Sequence, residues 1–156
     1  MAAGMPFGIR NPEKMGGTVN QKAGASGTRQ RSVLVVEDDQ LFRKALMTFL
    51  SSLGFETCGV STAEDALREA VWSGVDVVLI DYYLPGMNGI ELAQTLQARN
   101  VRARMILMSG YLPPFVREQA RAASIEDVLC KPHDMTSLHS HLMSPVEERD
   151  NYETTH

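Results

Sequence analysis

The stretch DVVLIDYYLPGMNGIEL at residues 76–92 contains a strand, a turn and the start of a helix. Val75 to Ile80 is a largely apolar run that ends at Asp81. Apolar runs without strict alternation are typical of strands buried on both faces, as in a parallel sheet. Asn88 suits the N-cap of the apolar helical pattern that follows. The stretch therefore predicts a buried strand with an acid at its end, then a helix.

The same alternation of strand and helix extends in both directions along the chain. Further strands are predicted at 32–36, 55–60, 105–108 and around 125–130, and apolar residues at helical spacing follow each of them. Predicted helix caps are Ser61 or Thr62 for the second helix and Asp134 for the last, and Gly54 ends the first. Five strand–helix units predict an α/β domain whose parallel sheet is covered by helices on both faces.

Composition and charge bound the class of protein. The 156 residues suffice for one domain, and 44% hydrophobic and 22% charged residues are ordinary for a globular protein. The net charge of -4 argues against direct DNA binding. No run approaches the ~18 apolar residues of a membrane span, and the N-terminus lacks the apolar core of a signal peptide. We therefore expect a cytoplasmic protein without membrane contacts, with Cys58 and Cys130 as buried thiols.

Two composition changes set the predicted domain limits. Residues 1–30 hold six of the twelve glycines and little apolar periodicity, and residues 1–31 carry a net charge of +4. Such a segment buries too little surface to offset its ordering entropy. We expect a flexible basic tail or linker at 1–30, one domain at 31–143, and a polar tail at 144–156.

Chemically distinctive side chains follow four of the predicted strands. Acids at 37–39 follow the first strand, Asp81 ends the third, Ser109 follows the fourth, and Lys131 follows the fifth. Because the carboxyl ends of parallel strands form one edge, these side chains should converge there. Clustered carboxylates favour a cation, and oxygen ligands favour Mg²⁺. A carboxylate can also accept a phosphoryl group, with a lysine and a hydroxyl holding the phosphoryl oxygens.

Four motifs resemble the receiver domains of bacterial response regulators. They are VLVVEDD at 33–39, DVVLIDYYLPGMNGIEL at 76–92, MILMSGY at 105–111 and VLCKP at 128–132, in this order. The resemblance covers about residues 31–143. The motifs are similar both to those of stand-alone, chemotaxis-regulator-like receivers and to those of receivers in hybrid histidine kinases. It implies a flavodoxin-like doubly wound five-stranded parallel sheet, in the order 2-1-3-4-5, with five helices.

The resemblance also implies roles for individual residues. Asp81 would be the phosphoacceptor and, with Asp38 and the backbone carbonyl of Tyr83, would bind Mg²⁺. Glu37 would contribute through water or from behind these ligands.

The phosphoryl oxygens would be bound by two further side chains, Ser109 and Lys131. The Lys131–Pro132 peptide would be cis. Asp39 is expected to cap the first helix rather than to bind the metal.

The sequence departs from the family at the positions thought to read or protect the phosphoryl group. Val128 stands where many receivers carry an aromatic switch residue, so Tyr111 is left as its substitute, as a packing residue or as a partner contact. Tyr83 and Tyr111 lie two residues after Asp81 and Ser109, and we hypothesise that their rings shield the phosphoryl group from water. His133 replaces a common Phe and is expected at the surface.

The leading interpretation is a signalling phosphoacceptor, not an enzyme beyond its own phosphotransfer and slow dephosphorylation. The expected donor is a histidine kinase or histidine phosphotransfer protein, and a downstream protein would read the face of the fourth helix and fifth strand. The domain would be a monomer or a phosphorylation-dependent dimer.

Three other interpretations are weighed against it. A haloacid-dehalogenase-type phosphatase would need Asp where Tyr83 stands. A nucleotide-binding module would need a glycine-rich loop in place of the acids at 37–39. A degenerate receiver would act as a phosphorylation-independent interaction module.

Overall fold

The computed structural model describes residues 29–68, 74–125, 127–131 and 135–143. Five strands and five helices alternate along these ranges. The strands are β1 (Ser32–Val36), β2 (Glu56–Val60), β3 (Val77–Asp81), β4 (Arg104–Ser109) and β5 (Asp127–Cys130). The helices are α1 (Gln40–Ser52), α2 (Ala63–Arg68), α3 (Gly89–Ala98), α4 (Pro114–Ala122) and α5 (Met135–Met143).

The strands form one parallel sheet in the order β2-β1-β3-β4-β5. This confirms the predicted fold class and strand order. The order reverses direction at β1, so β1 and β3 lie side by side with their carboxyl ends at one edge. In such folds this point of reversal is where ligands bind.

Two apolar clusters hold the helices on opposite faces of the sheet. One cluster joins the even-numbered residues of β1, Leu34 and Val36, to α2, α3 and α4. The other joins Val33 and Val35 to α1 and α5. Successive side chains of β1 belong to opposite clusters, so β1 is buried on both faces, as its unbroken apolar run predicts.

The predicted caps of the first and third helices are confirmed. The Asp39 carboxylate accepts hydrogen bonds from the backbone N–H groups of Leu41 and Phe42 at the start of α1. Asn88 and Glu91 form a reciprocal capping box at the start of α3. At the second helix, where two caps were possible, the Thr62 hydroxyl accepts the hydrogen bond from the N–H of Asp65.

The structure differs from the prediction at one of the two cysteines. Cys58 is half-buried and Cys130 is exposed, so the prediction of two buried thiols is wrong for Cys130. The reason is that Cys130 ends β5, the short strand at the edge of the sheet.

Two residues before the predicted start of the domain at residue 31 also contact it. Arg29 forms an ion pair with Asp76 at 2.6 Å, and the Gln30 amide donates to the Gly54 carbonyl at 2.8 Å. Contacts with the domain therefore include the last two residues of the range predicted as a tail.

Several predictions fall outside the described residues: the rest of the tails, the end of the second helix, the Lys131–Pro132 peptide, the Asp134 cap and the exposure of His133. None of the helices in the described ranges is long and apolar enough to cross a membrane.

Candidate phosphoacceptor site

Three carboxylates meet at the carboxyl edge of the sheet. Oxygen atoms of Glu37, Asp38 and Asp81 all lie within 4.8 Å of one another. Glu37 is 1% and Asp81 4% exposed, whereas Asp38 is open to solvent. The loop after β1 and the end of β3 therefore bring together the acids that the sequence separates by more than forty residues.

Lys131 lies between the two buried acids. Its Nζ is 2.5 Å from Glu37 Oε2 and 3.1 Å from Asp81 Oδ2. The ammonium offsets part of the repulsion between the carboxylates. The residue that follows the fifth strand thus reaches the acids that follow the first and third strands.

The charges of this group are coupled. Burial raises the pKa of the Glu37 carboxyl to about 7, while the hydrogen bond from Lys131 lowers it and the charge of Asp81 raises it. Burial lowers the pKa of Lys131, but the hydrogen bond to Glu37 and the charge of Asp81 outweigh this effect and raise it above its ordinary value. Lys131 is therefore an ammonium group at neutral pH.

Ser109 ends β4 and is fully buried. Its hydroxyl donates to the Tyr111 carbonyl at 2.6 Å, so it is held by the loop that follows β4. The backbone N–H of Lys131 donates to the Ser109 carbonyl at 2.7 Å, which joins the ends of β4 and β5. Ser109 and Lys131 are thus neighbours at the edge, as the sequence predicts.

The backbone around Asp81 is closely packed. The N–H of Tyr82 donates to the Met108 carbonyl at 2.8 Å, and that of Gly89 donates to the Tyr82 carbonyl at 2.9 Å. A Cβ on Gly89 would lie 2.5 Å from the Asp81 carbonyl oxygen, so only glycine fits this approach. The start of α3 therefore fixes the position of the Asp81 main chain.

Tyr83 lies beside Asp81, and Tyr111 contacts Ser109 through its backbone. The N–H of Tyr83 donates to Asp81 Oδ1 at 3.3 Å, and its ring stacks edge-on against Tyr82 with centroids 4.7 Å apart. Tyr83 is 53% exposed and Tyr111 68%.

The donor set fits a hard divalent cation. The candidate side-chain ligand atoms are carboxylate oxygens, and Mg²⁺ typically takes one or two carboxylates and keeps several waters. The exposure of Asp38 leaves a solvent side for those waters and for a phosphoryl group. Burial, and to a lesser extent the charge of Asp81, raises the pKa of the Glu37 carboxyl, and a cation bound nearby would oppose both effects.

Comparison with known proteins decides the family. Residues 33–143 match the family model described as the response regulator receiver domain. The chain belongs to this family. The receiver domain is 42% identical over 107 residues to the sensory transduction protein RegX3 of Mycolicibacterium smegmatis, covering 69% of this chain and 46% of RegX3. It is 29% identical over 118 residues to a cyclic di-GMP phosphodiesterase of Thermotoga maritima, covering 76% of this chain and 32% of that protein.

Solved structures agree with the fold. The receiver domain superposes on the chemotaxis protein CheY4 of Vibrio cholerae with a TM-score of 0.69 at 22% identity, covering 73% of this chain and 97% of the other. It superposes on the response regulator TrrA of Thermotoga maritima, solved in complex with Mg²⁺ and BeF, with a TM-score of 0.64 at 25% identity, covering 72% and 96%. The chain spans less than half the length of the two curated relatives above.

Two contacts at the receiver site were not predicted from the sequence. Lys131 Nζ lies 4.8 Å from the centre of the Phe42 ring, and the Arg43 guanidinium donates to the Glu37 carbonyl at 2.6 Å. Both side chains come from the first turn of α1, directly after the acidic loop. Their position in the sequence is the one signal that could have indicated these contacts, because side chains in the first turn of a helix lie near the loop that precedes it.

Proposed function

We propose that this receiver domain takes a phosphoryl group onto Asp81 from a phosphohistidine of a histidine kinase or histidine phosphotransfer protein. The observation that carries the proposal is the triad of acids within 4.8 Å of one another with Lys131 3.1 Å from Asp81. It combines a nucleophilic carboxylate, a cation-binding group and a phosphate-binding cation at one edge.

Mg²⁺ would be held by Asp38, Asp81 and the backbone carbonyl of Tyr83, with Glu37 acting through water or from behind these ligands. The ion would supply positive charge that offsets the repulsion between the acids and the incoming phosphoryl group.

The side chains of the domain would carry out an in-line transfer. A carboxylate oxygen of Asp81 forms a bond to phosphorus while the phosphorus–nitrogen bond of the donor histidine breaks, and the histidine leaves with the electron pair. The Lys131 ammonium and the Ser109 hydroxyl bind phosphoryl oxygens as the charge shifts. For this, Ser109 must exchange its present bond to the Tyr111 carbonyl for one to the phosphoryl group.

That exchange gives a physical link between the phosphoryl group and the surface. When the Ser109 hydroxyl leaves the Tyr111 carbonyl, the loop between β4 and α4 loses its anchor and can adopt a second packing. A downstream protein would read that difference on the face of α4 and β5, and the domain would act as a monomer or as a phosphorylation-dependent dimer. Val128 on β5 is not aromatic, so the change at the Tyr111 loop would itself be the signal.

The proposal includes the organisation and the location of the protein. The receiver unit would be 31–143, extended by the contacts of Arg29 and Gln30, with a basic tail at 1–30 and a polar tail at 144–156. It would work in the cytoplasm, without direct DNA binding or membrane contacts, and would catalyse only its own phosphotransfer and slow dephosphorylation.

Incubation with Mg²⁺ and acetyl phosphate tests the proposal. Intact-mass measurement should show the gain of one phosphoryl group, which EDTA and Asp81→Asn both abolish. Asp39→Asn is the matched control, because it removes a neighbouring acid while Asn caps a helix as well as Asp.

The control variant should be phosphorylated like the natural chain. If the natural chain gains no phosphoryl group and shows no response to beryllofluoride, the domain is instead a phosphorylation-independent interaction module.

A further inference from the structure

We propose that Phe42 is a positioning residue for Lys131, and that its ring holds the ammonium in place while the carboxylates beneath it are taken by the cation and the phosphoryl group. This inference rests on the proposed function and names a further residue in its machinery. It starts from the 4.8 Å between Lys131 Nζ and the centre of the Phe42 ring. A cation within about 6 Å of a ring centroid is attracted by the negative face of the ring.

The three contacts of the ammonium differ in what happens to them during phosphorylation. The carboxylates of Glu37 and Asp81 belong to the cation-binding triad. Any cation bound there weakens their attraction for Lys131, because it neutralises the same oxygens. The Phe42 ring has no ligand atom, so its attraction for Lys131 persists.

The surroundings of Lys131 make the ring contact matter. Phe42 and Lys131 both line a cavity of about 280 Å³ between α1, β5 and α5. Its other walls are mainly apolar, among them Leu46, Met108, Leu129 and Leu138. Once a cation engages the carboxylates, and before the phosphoryl group is bound, a lysine without the ring would be free to swing towards solvent. Ordering a lysine side chain again costs rotamer entropy.

The local structure fixes the ring where it is needed. Phe42 is the third residue of α1, and its backbone N–H donates to the Asp39 cap at 3.0 Å. Arg43, the next residue, donates to the Glu37 carbonyl at 2.6 Å. The first turn of α1 is therefore tied to the acidic loop on both sides of the ring.

Fluorination of the ring separates its electrostatics from its shape. Pentafluorophenylalanine at position 42 keeps the ring but reverses its quadrupole, and difluorophenylalanine weakens it. We expect the affinity for beryllofluoride, at saturating Mg²⁺, to fall progressively along this series, by about two- to fivefold at the pentafluoro ring. Phe42→Leu should lose a similar factor, and Phe42→Trp, with a stronger quadrupole, should retain the natural affinity.

Phe49 provides the matched control. It lies seven residues along the same helix and packs against the same apolar cluster as Phe42. Pentafluorophenylalanine at position 49 should leave the affinity unchanged. An equal loss at both positions, or a flat series at position 42, overturns the inference.

A second measurement needs neither Mg²⁺ nor phosphate. In the cation-free protein, the Lys131 methylene protons nearest the ammonium should be shifted upfield in NMR spectra by the Phe42 ring, and Phe42→Leu should abolish that shift. Its absence from the natural chain overturns the ring contact. A protein with the shift that binds no beryllofluoride instead overturns the proposed function, whereas a flat fluorine series in a protein that binds it overturns this inference alone.

Discussion

Gly89 is the position where a single added methyl group should disturb the main chain of Asp81. The Cβ of an alanine there would lie 2.5 Å from the Asp81 carbonyl oxygen, 2.8 Å from Leu107 Cδ1 and 3.0 Å from Ile80 Cγ2. The leucine methyl can move a little, but the carbonyl belongs to a buried strand in the middle of the sheet. We therefore expect Gly89→Ala to displace the end of β3 or the start of α3.

The magnitude follows from two opposing effects. Overpacking a buried site costs about 1–3 kcal/mol, whereas Gly→Ala in a helix interior gains at most about 1 kcal/mol. Gly89 is the first residue of α3, so alanine at this position should give only part of that gain in stability. The net loss in the free energy of unfolding should be about 1–2 kcal/mol. With a urea m-value of about 1–3 kcal/mol/M, the unfolding midpoint should fall by roughly 0.3–2 M.

Gly110 offers a matched control at the same edge of the sheet. It follows Ser109 directly, and a Cβ there meets nothing within 4 Å. Gly110→Ala should leave stability unchanged or raise it by about 0.4–1 kcal/mol, through the lower entropy of the unfolded chain.

Urea unfolding followed by circular dichroism measures both variants, and the rate of phosphorylation by acetyl phosphate should fall for Gly89→Ala alone. Equal midpoints for the two variants would show that the close packing of Gly89 against Asp81 does not hold the site.

Three further predictions concern the acids, the tyrosines and a helix cap. Asp38→Asn should weaken Mg²⁺ binding at least tenfold in isothermal titration, whereas Asp39→Asn should not, because only Asp38 belongs to the triad of acids; equal affinities would remove Asp38 from the ligands. The double variant Tyr83→Asn/Tyr111→Glu should lose its phosphoryl group faster than the natural chain in a dephosphorylation time course, and an unchanged lifetime would refute the shielding hypothesis. Asn88→Ala should lower the free energy of unfolding by about 0.5–2 kcal/mol, since it removes the capping box of α3; an unchanged urea midpoint would contradict that contribution.

The strands of the sheet could be predicted because each is marked by an apolar run in its own stretch of sequence. The apolar runs ending at Val36, Asp81 and Ser109 are buried on both faces, and each was placed within two residues of its observed bounds. The caps Asp39 and Asn88 were also predictable, since a cap depends only on the residue and the helix that follows. The burial of Cys130 was predicted wrongly because it rested on the apolar run around the residue alone, whereas Cys130 ends β5 at the edge of the sheet.

The sequence predicts that the site residues lie near one another but not which of them are in contact. Parallel strands bring Glu37, Asp81 and Lys131 to one edge, but the sequence does not tell which of them pair. Glu37 was expected to act through water or from behind the metal ligands, and the sequence did not indicate that it also holds Lys131 at 2.5 Å. The partners are 94 residues apart, and their pairing depends on the rotamer of a long side chain. Phe42 was missed for the same reason: it is one of the apolar residues at helical spacing that follow the first strand, and this spacing does not show what lies over its ring.

Reductive trapping of the phosphorylated protein tests the central claim most directly. Borohydride converts an aspartyl phosphate into homoserine, and peptide mass spectrometry then locates the converted residue. After treatment with Mg²⁺ and acetyl phosphate, the account predicts homoserine at position 81 and unmodified acids at 37–39. Homoserine in the 37–39 loop, or at no position in a protein shown to be folded, would contradict it.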